Sequence, residues 1–325
     1  MSKETETTKN DALVAQFRFA MIAPVIQGLF PDASATAYYK RVTEHPLTLP
    51  NGTVVQYSYK TLEKWKSLYL RGGLDPYTMT EAVSDGITVN LVYDGRAAKV
   101  TLNSEKIHEI EEYYDKCADL GATEDQIEES QKAVAHLDVI IGDPDRLKAV
   151  AKDFVEHYEK RVEEGATVAG KAMFVCSNRF IAYDLYKIIV GMRPEWKEKR
   201  KAPEGVELTD KEEKELKLIE KIKLVMTRNK DDEKDLYEML GTKDDRKELD
   251  RQFKNIHSNF KIAIVVDMWL TGFDVPCLDT IYIDKPIQQH TLIQTISRVN
   301  RVYEGKDKGL IVDYIGIKKN MNLAL

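Results

Sequence analysis

An α/β protein is predicted: a doubly wound parallel sheet in the C-terminal half, preceded by a small all-α unit and a mostly helical connector. Three observations lead there. Five short apolar runs, at 172–177, 222–227, 262–267, 280–285 and 309–314, are separated by loops or helical segments. Two of them, IAIVVD and GLIVDY, are dense in β-branched residues and lack alternation, which suits strands buried on both faces. Helices are expected between the runs, at 178–192, 243–255 and 288–301, and such α/β alternation places ligands at the carboxyl ends of the strands.

Residues 1–9 read as a polar tail. From about 10 to 73, short helices are broken by Pro31, Pro46 and the Pro50-Asn51-Gly52 turn. Segment 57–71 reads as one helix, with Leu62, Trp65, Leu68 and Tyr69 as core candidates, Ser58 as N-cap and Gly72-Gly73 as stop. Between Tyr38 and Arg71, six basic residues (Lys40, Arg41, Lys60, Lys64, Lys66, Arg71) stand against two acids, Glu44 and Glu63, a local excess of +4. Such an excess also arises on a plain solvated face. Beyond Pro76 a strand is expected at 87–93 and helices at 103–139 and 143–164, the latter with Leu147, Val150, Phe154 and Tyr158 at helical spacing. Segments 195–221 and 228–251 are dense in mixed charge and read as solvated excursions. The resulting division is 1–75, 76–164, 165–317 and a short start of a further helical region at 318–325.

With 325 residues, 43% hydrophobic and 31% charged, the composition is that of a soluble globular chain. Lys and Arg number 48 against 54 Asp and Glu, a net charge of −6, so any nucleic-acid contact must come from local patches. No apolar run approaches the ~20 residues that span a bilayer, and the polar N-terminus is no signal peptide. Cys117, Cys176 and Cys277 lie far apart, which implies a reduced, cytoplasmic setting and no zinc site.

Two constellations carry chemistry. After the run at 262–267 comes Thr271-Gly272-Phe273-Asp274, where glycine permits close backbone approach beside a hydroxyl and a carboxylate. The expected helix 288–301 then carries Gln294, Arg298 and Arg301, whose offsets of four and seven would place two guanidinium groups and an amide on one face, toward one anion. Surface charge is the plain alternative.

Together, TGFDVPCLDTIYIDKPIQQHTLIQTISRVNR resembles motifs V and VI of superfamily 2 helicases, and specifically the R subunit of type I restriction enzymes. KAMFVCSNR is similar to the motif IV region of that family, and YTMTEAVSDG and LVYDGR to the stretch past motif III. Ser297 stands where many superfamily members have Gly. The resemblance implies a RecA-like second motor lobe and ATP-driven DNA translocation leading to restriction. It implies Arg298 and Arg301 as arginine fingers toward the γ-phosphate of ATP, with Gln294 supporting them. Gly272 and Asp274 would couple nucleotide to DNA, and Thr271, Ser177 and Arg179 would hold phosphates of the tracked strand. ATP and Mg²⁺ are the implied cofactors, and double-stranded DNA with methylation and specificity subunits the implied partners.

The ATP-binding first lobe and the nuclease are not legible in this sequence. Residues 165–171 fit GxxxxGK, but follow a helix and precede a strand, the reverse of a phosphate loop, and Ala172 replaces the Mg²⁺-binding hydroxyl. Asp232-Glu233 and Glu195-Trp196-Lys197 echo a motif II and a nuclease motif, and read as solvated charge. The N-terminal AQFRFAMIAPVIQGLF and YSYKTLEKWKSLYLRGGLDPY resemble the helix-turn-helix domain of integrase-type transposases. That implies Ser58, Tyr59, Lys60 and Lys64 as DNA-facing residues, and a chain that joins two families near 75. The 325 residues alone are thus expected to be inactive as an ATPase. The alternatives are a non-enzymatic DNA-binding protein acting through the helix-turn-helix, or an interaction module docking on a first lobe in trans.

Overall fold

A computed structural model describes residues 17–26, 30–49, 54–70, 88–97, 137–270, 272–287 and 289–316. Residues 103–136 of the helix expected at 103–139, the tail, Gly72-Gly73, Thr271 and the segment from 317 onward lie outside the described residues.

The N-terminal unit contains helix α1 (17–26), α2 (Ala35–Val42), strands β1 (Leu47–Thr48) and β2 (Val54–Val55), and α3 (Tyr59–Leu70). Met21, Ile22, Val25, Tyr38, Tyr39, Leu62 and Trp65 form its core. Trp65 meets Tyr57 edge-on at 4.9 Å and carries the Arg18 guanidinium over its face at 5.5 Å, so its body is packing. Tyr69 is half-buried against Phe19, while the Leu68 side chain lies outside the described ones. The unit is helical, with one addition: a ribbon pairs Leu47 with Val55 and Thr48 with Val54. It lies in a segment, 43–58, where a helix-turn-helix has a turn of about 3–4 residues. β-Branched Thr48, Val54 and Val55 favour that ribbon. The local basic excess also shrinks, because Arg41 forms a two-pronged bond with Asp32 at 2.9 and 2.7 Å.

The α/β part adds β3 (Asn90–Gly95), α4 (Pro144–Glu163), β4 (Ala172–Cys176), α5 (Arg179–Met192), α6 (Asp210–Glu215), β5 (Ile222–Val225), α7 (Lys234–Leu240), α8 (Lys243–Lys254), β6 (Ile262–Val265), β7 (Thr280–Asp284), α9 (Gln289–Ile296) and β8 (Lys308–Asp313). Six strands form one parallel sheet in the order β3-β8-β7-β4-β6-β5. The five expected strands are all in it. The sixth, β3, lies in the segment 76–164 read as a connector, and pairs along its length with β8. Helix α4, from the same segment, packs on the sheet. A boundary at 165 therefore runs through one hydrophobic unit.

Side chains of β4 alternate between two cores. Ala172, Phe174 and Cys176 join Val150, Phe154 and Tyr158 of α4 and Leu185 of α5. Met173 and Val175 face the other way, toward Phe253 of α8 and Leu292 and Ile296 of α9. Both faces are thus covered by helices, which is why the strands lack polar alternation. Each long helix starts on a residue suited to it: Asp143 caps α4 ahead of Pro144, Asn178 caps α5, and Thr242 forms a capping box with Asp245 on α8. The charged segments are surface-borne, with pairs such as Lys201–Glu213 and Arg251–Glu248, yet they also contribute Trp196, Leu216, Leu236 and Leu240 to the interior.

Candidate functional site

Between β6 and β7 the chain turns through Met268-Trp269-Leu270, and Trp269 adopts a left-handed backbone (φ 70°). For a bulky residue this costs roughly 1–2 kcal/mol. Packing offsets it: the Trp269 ring is 7% exposed, stacks on Phe273 at 4.0 Å, and meets Phe253 at 5.2 Å. Gly272 is also left-handed (φ 67°), and a Cβ there would meet nothing within 4 Å. Its side is therefore open to an approaching ligand, and the demand for glycine is conformational.

Arg298 lies against this loop. Its Nε donates to the carbonyls of Leu270 and Gln294, each at 3.1 Å, and Nη1 donates to the Phe273 carbonyl. Burial, with the nearby Arg301 charge, lowers its pKa to about 10 against the pull of Asp274, so it stays charged at neutral pH. Arg301 is more open and places Nε 3.4 Å from Asp274. The structure thus brings Asp274, Arg298 and Arg301 together, with Gln294 present through its backbone carbonyl and Gly272 beside them.

It does so without the helical face expected from the spacing. Helix α9 ends at Ile296, short of both arginines. The Gln294 carbonyl, which a longer helix would offer to the Arg298 amide, accepts instead from Ser297 Oγ (2.7 Å) and Arg298 Nε. The Arg298 amide turns to the Thr295 carbonyl at 3.2 Å. Side chains competing for a backbone acceptor end the helix, which gives Ser297 a definite local role. Arg301 then pairs in a short bridge with Thr88, two residues ahead of β3, and so lies toward the amino ends of the strands.

Ser177 and Arg179 stand at the carboxyl end of β4, and both are engaged within the protein. Ser177 Oγ donates to Asp138 at 2.9 Å. Arg179 donates to Asp232 at 2.5 Å and to the Thr227 carbonyl at 3.2 Å. Asp232 is therefore no solvated charge: its side chain is 2% exposed and also accepts from the Asn229 amide. Glu195, by contrast, is exposed, while Trp196 beside it is core. On α3, Lys60 and Lys64 are exposed opposite buried Leu62 and Trp65. Tyr59 lies under the Lys40 amine at 5.3 Å, and the Ser58 hydroxyl is 3.3 Å from that of Thr61.

Lys171, the last residue of the phosphate-loop-like string, is 1% exposed. Its amine donates to the Phe260 carbonyl at 2.5 Å and lies over Phe253, so it reaches no ligand. Burial holds its pKa well below the usual lysine value. Among the described residues no helix is long and apolar enough to cross a membrane, and no three His, Cys, Asp or Glu residues converge as a metal site.

Asp232, Asp138 and Trp269 belong to these sites, and sequence reasoning missed all three. The partners are distant in the chain, and a left-handed tryptophan has no local signature.

Residues 96–316 match the family model "Type I restriction enzyme subunit R domain 3". The chain is 38% identical over 251 residues to the HindI endonuclease subunit of Haemophilus influenzae, covering 76% of this chain and 21% of that protein. It is 36% identical over 282 residues to a Methanocaldococcus jannaschii protein named as the MjaIXP endonuclease subunit, covering 85% of this chain and 24% of that one. Among solved structures, an HsdR-subunit fragment from Vibrio vulnificus aligns with a TM-score of 0.44 at 14% identity, over 81% of this chain and 39% of that one. The chain therefore spans about a fifth to a quarter of the length of the curated relatives it matches.

Proposed function

The chain belongs to the type I restriction enzyme R-subunit family, and from that premise we propose that residues 90–316 work as the second motor lobe of an ATP-driven DNA translocase. The observation that carries the reading is the convergence of Arg298 and Arg301 with Asp274, beside the carbonyls of Leu270 and Phe273. Two guanidinium groups within one electrostatic neighbourhood can neutralise the charge that develops when a γ-phosphate leaves, an effect worth roughly 10³–10⁵ in rate. Arg301, the more open of the two, would meet the phosphate directly. Arg298 would join it on release from its carbonyls, with the Gln294 carbonyl as its rest position. Asp274 keeps Arg301 oriented, and open Gly272 lets a strand approach the backbone.

These residues fit the finger half of a nucleotide site. With Lys171 sealed in the core, the phosphate-cradling half and the Mg²⁺ ligands would come from a first lobe. Ser177 and Arg179 would hold phosphates of the tracked strand after exchanging Asp138 and Asp232 for DNA, and Thr271 would act beside them. Such contacts carry no base specificity.

A second reading, that the N-terminal unit binds DNA without catalysis, is favoured by exposed Lys60 and Lys64 on a helix whose Leu62 and Trp65 are buried in the core. The two readings separate in one assay. DNA-stimulated ATP hydrolysis is measured for the chain alone and with a first motor lobe of a family member supplied in trans. The motor reading expects none alone and hydrolysis on mixing. Hydrolysis by the chain alone, or none in the mixture, would defeat it. The DNA-binding reading expects salt-dependent duplex binding that vanishes when residues 1–75 are removed.

A further inference from the structure

Among the described residues Trp269 is the one non-glycine with a positive φ, and it stands at the start of the loop that Arg298 grips. Three features make the two inseparable. Trp269 and Gly272 each adopt a left-handed backbone, and the described residues on the two sides, Trp269-Leu270 and Gly272-Phe273, lie against each other. That arrangement lets the rings of Trp269 and Phe273 stack at 4.0 Å and 8° between their planes. It also turns the carbonyls of Leu270 and Phe273 toward one guanidinium. The stack is itself anchored: Phe253 of α8 meets Trp269 at 5.2 Å and Phe273 at 6.2 Å, and the Lys254 amine lies over the Phe273 ring at 5.0 Å.

We infer that Trp269 is a positioning residue for Arg298: its strained turn and its stack on Phe273 hold the carbonyls that store the Arg298 guanidinium. The loop is then a latch. While the rings stay stacked, Arg298 is held on Leu270, Phe273 and Gln294. When the stack slips, two of its three acceptors move away and the guanidinium is free to swing toward an anion. Strain at Trp269 lowers the resistance to that slip, because leaving the left-handed region relieves it. The functional meaning rests on the motor-lobe reading, while the latch itself is testable without nucleotide.

The Arg298 Nε–H is the reporter, since it is bonded to two carbonyls at 3.1 Å. Its solvent exchange is followed by NMR in the full chain, selectively labelled with ¹⁵N-arginine, for the wild type and for Trp269→Gly, Trp269→Phe and Phe273→Leu. Glycine keeps the turn without strain but removes the ring. Phenylalanine keeps a ring able to stack. The expected result is exchange faster by roughly tenfold or more in Trp269→Gly and in Phe273→Leu, with Trp269→Phe close to wild type. Loss of the Leu270 and Phe273 acceptors leaves the guanidinium on the Gln294 carbonyl alone, and local opening then frees the Nε–H. Phe273→Leu leaves Trp269 in place, so the question survives if the glycine variant does not fold. Unchanged Nε–H exchange in a folded Trp269→Gly or Phe273→Leu chain would overturn the inference. So would equal acceleration in Trp269→Phe. In the mixture with a first lobe, Trp269→Gly is expected to change kcat and leave KM for ATP within about twofold. Absence of hydrolysis there would count against the motor reading alone, since the exchange result stands without it.

Discussion

Removing the Arg146 guanidinium is expected to cost this chain a large part of its stability. Arg146, in the first turn of α4, is 2% exposed, and Asp284, at the end of β7, is wholly buried. Arg146 donates to the two carboxylate oxygens at 2.5 and 3.1 Å, and to the carbonyls of Ile141 (3.1 Å) and Tyr314 (3.2 Å). One side chain therefore ties the α4 entry, the β7 end and the β8 exit together. In Arg146→Met the Asp284 charge stays buried without its partner, and breaking such a pair costs roughly 3–5 kcal/mol. Against a total of about 5–15 kcal/mol for a domain, that leaves the variant close to unfolding. Asp284→Leu strands the opposite charge and should cost a similar amount. The double variant removes both charges and leaves only two carbonyls without a donor, so it should be at least about 2 kcal/mol more stable than the sum of the single losses implies. Urea unfolding of all four proteins measures this. Additivity within about 0.5 kcal/mol, or a single-variant loss below about 1 kcal/mol, would show that the pair does not hold these elements together.

Other outcomes follow from the same structure. Burial and the charges of Arg96 and Arg161 push the His157 pKa down from 6.5 to about 4, with Asp94 and Asp153 opposing. A depressed folded-state pKa gives stability that is full above pH ~6.5 and lost as pH falls toward about 4, by at most about 3 kcal/mol. His157→Gln should flatten that part of the stability–pH curve, read by thermal melts. Lys171→Met should leave hydrolysis in the complemented motor within about twofold, because this buried amine touches no ligand; a loss of 10³-fold or more would restore it as a phosphate-loop lysine. If α3 binds duplex DNA, Lys60→Ala and Lys64→Ala should each weaken binding uniformly across sequences and lower the salt slope by about one, measured by anisotropy titrations.

The sheet was legible because its strands are buried on both faces, so IAIVVD and GLIVDY carry their environment in their composition. The starts of α4 and α5 near Asp143 and Asn178 were legible for a similar reason, since the residues that begin a helix act locally. The rest depends on contacts between distant residues. β3 reads as a strand, but its membership of the sheet rests on pairing with 308–313, more than two hundred residues on. Asp232 reads as solvated because its neighbours are charged, whereas in the fold it pairs with Arg179, fifty-three residues earlier, besides accepting from the Asn229 amide. The end of α9 at Ile296 eluded the helical pattern because Ser297 and Arg298 side chains take the Gln294 carbonyl. The spacing of Gln294, Arg298 and Arg301 did indicate that they lie near one another, although a turn rather than a helix face gathers them, and Gln294 joins through its backbone carbonyl.

The measurement that bears most directly on the motor reading is single-turnover ATP hydrolysis by the chain mixed with a first motor lobe and duplex DNA, comparing wild type with Arg301→Ala. The expected result is a fall of roughly 10³-fold or more in the hydrolysis step, with the mixed complex still assembling and still binding DNA. Hydrolysis undiminished by Arg301→Ala in an assembled complex would contradict the assignment of the Arg298–Arg301 cluster to the phosphate.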